Sequence, residues 1–87
     1  MTRRFKPWTV YILRCGDGSL YTGITNHLEK RLEAHKSGKG AKYTRSHQPV
    51  ELVWQKQTKT ATIARKLEAT IKSWTRERKL RLIQEPN

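Results

Sequence analysis

Two short runs rich in β-branched and aromatic residues, WTVYILRC (Trp8 to Cys15) and LYTGIT (Leu20 to Thr25), flank the tetrapeptide Gly16-Asp17-Gly18-Ser19. That pattern admits little besides an antiparallel hairpin, because glycine supplies positive φ at low steric cost and Asp and Ser satisfy turn backbone with their own side chains. The expected register pairs Ile12 with Ile24 across a turn of three or five residues. Side chains alternate along a strand, so Tyr11, Leu13, Tyr21 and Gly23 share one face while Val10, Ile12, Thr22 and Ile24 share the other. Both tyrosines then point the same way.

A helix should follow directly. Asn26 is a suitable N-cap with Glu29 three residues on, the capping-box spacing, and Leu28 and Leu32 make a narrow apolar stripe. Arg31 and His35 flank that stripe four residues apart, and Ser37-Gly38 should end the helix. The segment GKGAKYTRSHQP (Gly38 to Pro49) reads as a basic loop, and VELVWQ (Val50 to Gln55) as a third strand. From Thr60 to Arg76 the helical period places Ile63, Leu67, Ile71 and Trp74 on one face with Ala64 nearby, and Glu68 at the edge of that stripe. Glu77 to Ile83 suggests a further short helix. The expected order is β-β-α-β-α(-α), an α+β fold in which helices flank a three-stranded antiparallel sheet. With 87 residues the expectation is a single domain over 1–87, its first seven residues (MTRRFKP) a loosely held basic lead-in.

Nineteen Lys and Arg against seven Asp and Glu give a formal net charge of +12. Positive residues run through the whole chain instead of gathering on one amphipathic helix, so the expected polyanion is nucleic acid and not a membrane surface. No apolar run approaches the ~18 residues of a membrane span, and there is no signal-peptide h-region. The lone Cys15 cannot form an internal disulfide, which fits a reducing cytoplasm.

Elimination narrows the chemistry. One cysteine and three scattered histidines give no zinc spacing, and Gly38-Lys39-Gly40 is too short for a phosphate-binding loop. A Cys15–His35 nucleophile pair is conceivable, but a cysteine at a strand end more often fills a core. Of the seven acids only Glu68 borders an apolar helical face, which argues against a cage of carboxylates around two metals. It leaves two readings: an ion pair with Lys72 at i+4, or a single carboxylate that holds Mg²⁺ together with water and substrate phosphate oxygens. Arg31 and His35 taken alone are an ordinary solvated face, and Tyr11 and Tyr21 ordinary packing tyrosines. Together with Glu68 they form a set suited to phosphodiester chemistry.

At these residues the sequence resembles the GIY-YIG nuclease superfamily, in particular its small, single-domain bacterial branch. Thr9-Val10-Tyr11 corresponds to the first signature and Tyr21-Thr22-Gly23 to the second. The similarity continues through GITN, the Arg31/His35 helix, GKGAKYTR and Glu68 to RERKLRLI (Arg76 to Ile83). Thr9 stands where the first triplet has glycine, and Thr22 where the second has isoleucine. The resemblance implies Mg²⁺-dependent hydrolysis of a DNA phosphodiester, with Mn²⁺ as a substitute ion. It assigns Tyr11 as general base or water-positioning residue and Tyr21 as the group orienting water or phosphate. Gly23 would permit close backbone approach, Arg31 stabilise transition-state charge, His35 handle protons and Glu68 bind the single metal. A tyrosine base needs its pKa of ~10 lowered, and Arg31 and the metal are the groups available to do so.

Lys39, Lys42, Arg45 and Lys72 are expected to bind nucleic acid, the first three by gripping backbone phosphates. Tyr43 would stack on a base or anchor its loop, whereas Trp54 and Trp74 fit core positions. Two functions follow: a metal-dependent endonuclease acting on structured or damaged DNA in repair or recombination, or a catalytically silent domain that binds DNA or RNA through the same basic groove. In either case a protein partner could supply target selection.

Overall fold

The computed structural model describes residues 7–85, so the basic lead-in expected at the N-terminus falls, apart from Pro7, outside the described residues. The elements are β1 (Trp8–Arg14), β2 (Leu20–Thr25), α1 (Leu28–Lys36), α2 (Lys42–Arg45), β3 (Glu51–Thr58), α3 (Ala61–Lys72) and α4 (Arg76–Gln84). The three strands form an antiparallel sheet in the order β2-β1-β3, with β1 central. This is the expected α+β architecture, extended by the short helix α2.

Central position explains why β1 is so uniformly apolar. Every residue from Thr9 to Leu13 is buried, because helices cover both sides of the sheet. On one side Val10 and Ile12 pack with Trp54, Ala64 and Ile71, and on the other Tyr11 and Leu13 pack with Cys15 and Val50. Cys15 is therefore the small core residue that its strand-end place suggested. Val10 pairs with Ile24, Tyr11 with Gly23, Ile12 with Thr22 and Leu13 with Tyr21. The Ile12–Ile24 register is thus off by two residues. An even slip leaves every side chain on its face, so Tyr11, Leu13, Tyr21 and Gly23 do line one side.

Helix ends differ more. The N-cap of α1 is His27, not Asn26, and no side chain caps it. Instead the Thr25 hydroxyl accepts the His27 N–H at 3.0 Å, so the Asn26/Glu29 capping box does not form. Gly38, at φ 83°, supplies the left-handed residue that ends α1. The long helix expected from Thr60 breaks at Ser73. Thr60 caps α3 by accepting from Ile63, and Thr75 starts α4 by accepting the Arg78 N–H at 3.2 Å. The stripe of α3 runs through Ala64, Leu67 and Ile71. Ile63, 100° round from Ala64, is left 48% exposed, contrary to its expected core position. Trp54 is buried as expected, while Trp74 is half-buried with the Arg78 guanidinium 4.3 Å above its ring.

Among the described residues two buried polar groups are left without a partner, the Trp54 indole N–H and, on the α3 side of the sheet, the Thr22 hydroxyl. A desolvated hydroxyl without a partner costs ~1–3 kcal/mol, and valine has nearly the same shape. Thr22→Val is expected to raise stability by about 1 kcal/mol, seen as a higher urea midpoint at unchanged m-value. A lowered midpoint would mean that the hydroxyl is satisfied in solution.

Candidate active site

Gly23 decides where the site forms. A Cβ at this position of β2 would stand 2.6 Å from the Tyr11 hydroxyl oxygen and 2.7 Å from its ring carbon Cζ. Only a residue without a side chain lets the phenol of β1 lie across the backbone of β2. Tyr11 is 1% exposed there, and its hydroxyl meets Nε2 of His35, from α1, at 2.9 Å.

His35 is wholly buried, which removes the solvated-face reading for this residue. Its other ring nitrogen, Nδ1, lies 2.8 Å from the hydroxyl of Thr44 on α2, and that hydroxyl gives its proton to the Ala41 carbonyl at 3.0 Å. A hydroxyl has one proton to give. Thr44 must therefore accept from Nδ1–H, which places the imidazole lone pair on Nε2, and the Tyr11 hydroxyl donates to it. The chain of donors runs from Tyr11 through His35 and Thr44 to the backbone.

Electrostatics keep both members neutral. Burial pushes the Tyr11 phenol above its ordinary value of 10, and the charges of Tyr21 and Glu68 add to the rise. The Arg31 guanidinium near the phenol pulls the other way without offsetting burial. Arg31 acts on Tyr11 in the expected direction, but its pull is smaller than that of desolvation, so Arg31 alone does not bring the phenol below its ordinary value. Burial also lowers His35 from its ordinary 6.5, and the positive charge of Arg31 lowers it further. An imidazole that protonates more readily in the unfolded chain destabilises the fold as acid is added. Its stabilising effect is complete above pH ~6.5 and is lost as the pH falls through the lower folded-state value, at up to about 1.4 kcal/mol per pH unit. Urea midpoints measured from about pH 8 down to about pH 5 should therefore fall more steeply for wild type than for His35→Gln. Equal slopes would mean that His35 is not buried as a neutral ring.

The remaining candidates surround this pair. Tyr21 meets the edge of the His35 ring, centroids 5.4 Å apart. Arg31 is half-buried one turn before His35. Glu68 lies on α3, which packs on β2 from the opposite side of the sheet; its charge acts on Tyr11, and its carboxylate is paired with Lys72 at 3.3 Å. The i,i+4 ion pair offered by the sequence is therefore real, and Lys72 is held by Glu68 here. Lys39, Lys42 and Arg45 are exposed along the segment that also presents Thr44, and Tyr43 projects from α2, 40% exposed.

Sequence reasoning missed Thr44, Gly40 and Gln48. A Cβ on Gly40 would run into the His35 ring, so this glycine lets the loop close over the imidazole. Gln48 uses both amide protons, donating to the carbonyls of His35 and Thr44 at 2.7 Å each. None of the three has a periodic signature. The sequence signal they leave is a run of small and polar residues after His35, inside the segment read as a basic loop.

The donor set bears on a metal. Among the described residues no cluster of three or more His, Cys, Asp or Glu exists. A lone half-buried carboxylate suits a hydrated cation such as Mg²⁺, which keeps most of its waters and takes one or two carboxylates plus phosphate oxygens. Among the described residues no helix is long and apolar enough to cross a membrane.

The chain is similar to known proteins along most of its length. Residues 7–81 match the family described as the GIY-YIG catalytic domain. A UPF0213 protein of Staphylococcus aureus is 51% identical over 76 residues, covering 87% of this chain and 93% of that protein. The solution structure of the UPF0213 protein of Bacillus halodurans is 42% identical with a TM-score of 0.59, over 88% of this chain and 82% of that one. A solution structure from E. faecalis is 40% identical with a TM-score of 0.64, over 97% and 88%.

Proposed function

The chain belongs to the GIY-YIG catalytic domain family, a family of nucleases, and from that premise we propose that it is a Mg²⁺-dependent DNA endonuclease hydrolysing a phosphodiester of structured or damaged DNA. The observation that carries this reading is the buried 2.9 Å contact between the Tyr11 hydroxyl and His35 Nε2. A tyrosine that donates to an imidazole lone pair keeps its oxygen lone pairs free to accept from water. As that water attacks phosphorus, its proton moves to Tyr11 Oη while the phenolic proton moves to His35 Nε2. No resting phenolate is required, so the raised Tyr11 pKa does not oppose the role. Thr44 fixes the imidazole tautomer, Tyr21 borders the water position, and Arg31 supplies a bidentate donor for phosphate charge as it grows in the transition state.

Glu68 would hold the cation, which when bound supplies neutralising charge at the phosphate and leaving oxygen. The basic residues Lys39, Lys42 and Arg45 grip backbone phosphates, and the whole chain acts as one catalytic unit in the cytoplasm, with a protein partner to select targets. A binding module without cleavage is the competing reading, and one observation favours it: Lys72 already occupies Glu68.

A labelled panel of single-stranded, duplex, flapped and branched DNA, incubated with Mg²⁺ or with a chelator, separates the two. The expected result is metal-dependent cleavage of at least one member. Glu68→Gln should need a Mg²⁺ concentration for half-maximal rate raised by at least the ~10–100-fold that losing a ligand's supporting contact costs. Binding of DNA with no cut in any member would overturn the nuclease reading in favour of the binding module.

A further inference from the structure

We propose that the cleft between the open edge of β2 and helix α4 is a binding site for one unpaired DNA base, seated against the Tyr43 ring. The cleft measures about 330 Å³ and is lined by Leu20, Tyr21, Thr22, Tyr43, Lys72 and Lys79. Such a volume lies at the small end of the ~300–1,000 Å³ typical of small-molecule clefts. In linking the bound base to the cut bond, the proposal rests on the nuclease reading, because Tyr21 belongs both to this cleft and to the active site.

Tyr43 is the clue. An aromatic that served only to anchor α2 would be buried, yet Tyr43 is 40% exposed, and the anchoring is done by the fully buried Thr44 and by Gln48. The exposed ring is nevertheless fixed. His47 stacks on it with centroids 4.0 Å apart and planes 9° from parallel. His47 is itself held, donating from Nδ1 to the Tyr43 carbonyl at 2.7 Å and approaching Asp17 at 3.6 Å. Tyr21 stacks beside Tyr43, 16° from parallel with centroids at 6.1 Å, and both residues line the cleft. A pre-set aromatic surface loses little conformational entropy when a flat ligand stacks on it.

Charge selects among flat ligands. Lys72 and Lys79 stand on the α3–α4 side of the cleft in a chain of net charge +12, so a base with phosphates on either side is favoured over a neutral aromatic compound. A base inside a duplex has both ring faces covered by its neighbours. Stacking on a protein ring therefore needs a base that is already unpaired or has left the helix. The strand being cut would then be unpaired beside the scissile bond.

The test measures binding by the 87-residue chain in chelator, where no cleavage occurs. A fluorescein-labelled single-stranded oligodeoxynucleotide and its blunt duplex are titrated over a range of salt. Wild type should prefer the single strand. Tyr43→Ala should weaken single-strand binding by about 5- to 150-fold with no change in salt slope, leave duplex binding nearly unchanged, and be matched to wild type by Tyr43→Phe. Lys79→Ala should instead lower the salt slope by about 1. A 2-aminopurine base in the single strand should be quenched by wild type, a readout that needs no variant. Equal loss on both substrates, no loss, failure of Tyr43→Phe to restore binding, or no quenching would each overturn the site. The two proposals fail separately. Selective single-strand binding without metal-dependent cleavage would overturn the nuclease and leave the base site standing. Cleavage with no role for Tyr43 would do the reverse.

Discussion

Tyr11→Phe is expected to lower single-turnover cleavage by about 10²- to 10⁴-fold while leaving DNA affinity within a factor of two. The substitution removes one oxygen atom from a side chain that is 1% exposed, so it neither opens a path for solvent nor alters the basic surface. What it removes is the only donor to His35 Nε2 among the described residues. Two effects follow from that one atom. The attacking water loses the acceptor of its proton, and the imidazole keeps a buried lone pair with no partner, at a stability cost of about 1–3 kcal/mol. Urea unfolding and quenched-flow cleavage, run on the same preparation, measure them separately. A variant that is destabilised yet cuts at the full rate would remove Tyr11 from proton transfer and leave it a packing residue.

Gly23→Ala should do comparable damage by another route. The new methyl would be placed 2.6 Å from the Tyr11 oxygen, well inside van der Waals contact, and the Tyr11 ring cannot swing away because the core holds it. Either the phenol shifts off His35 or β2 moves outward from β1. Overpacking of this kind costs ~1–3 kcal/mol, and displacement of a catalytic oxygen by about 1 Å can cost 10²-fold in rate. Gly23→Ala should therefore lose both stability and cleavage. Adding Tyr11→Phe should recover neither, because the ring carbon Cζ would still stand 2.7 Å from the methyl. A Gly23→Ala variant as stable as wild type would show that the contact is relieved without strain, and one with wild-type cleavage would show that the close approach is not needed.

The strand faces were legible in the sequence because a period of two tolerates a two-residue error. Tyr11, Tyr21 and Gly23 fall on one side whether Ile12 pairs with Ile24 or, as found, with Thr22. The boundaries of α1 were readable from Leu28 and Leu32, although the Asn26 cap was not formed. Tertiary contact sets that end of the helix through Thr25. Four-residue α2 was invisible, since so short a helix has no period to detect. Its order comes from hydrogen bonds to residues outside it. The same reason hid Thr44, and it also disguised His35, which sits among Lys30, Glu33 and Lys36 yet is fully buried. For Glu68 the i,i+4 spacing made the ion pair to Lys72 readable, and that pair is present.

Gln48 spends its two amide protons on the carbonyls of His35 and Thr44, residues that themselves face each other across Nδ1 and Oγ1. The end of α1, the turn of α2 and the imidazole are thereby latched by one side chain. Such a latch makes opening of this segment all-or-none: the loop cannot fray by a residue or two without releasing the ring. Amide protons over residues 35–48 should then exchange as a block, and the fraction of molecules with a correctly aimed imidazole equals the fraction in which that block is closed.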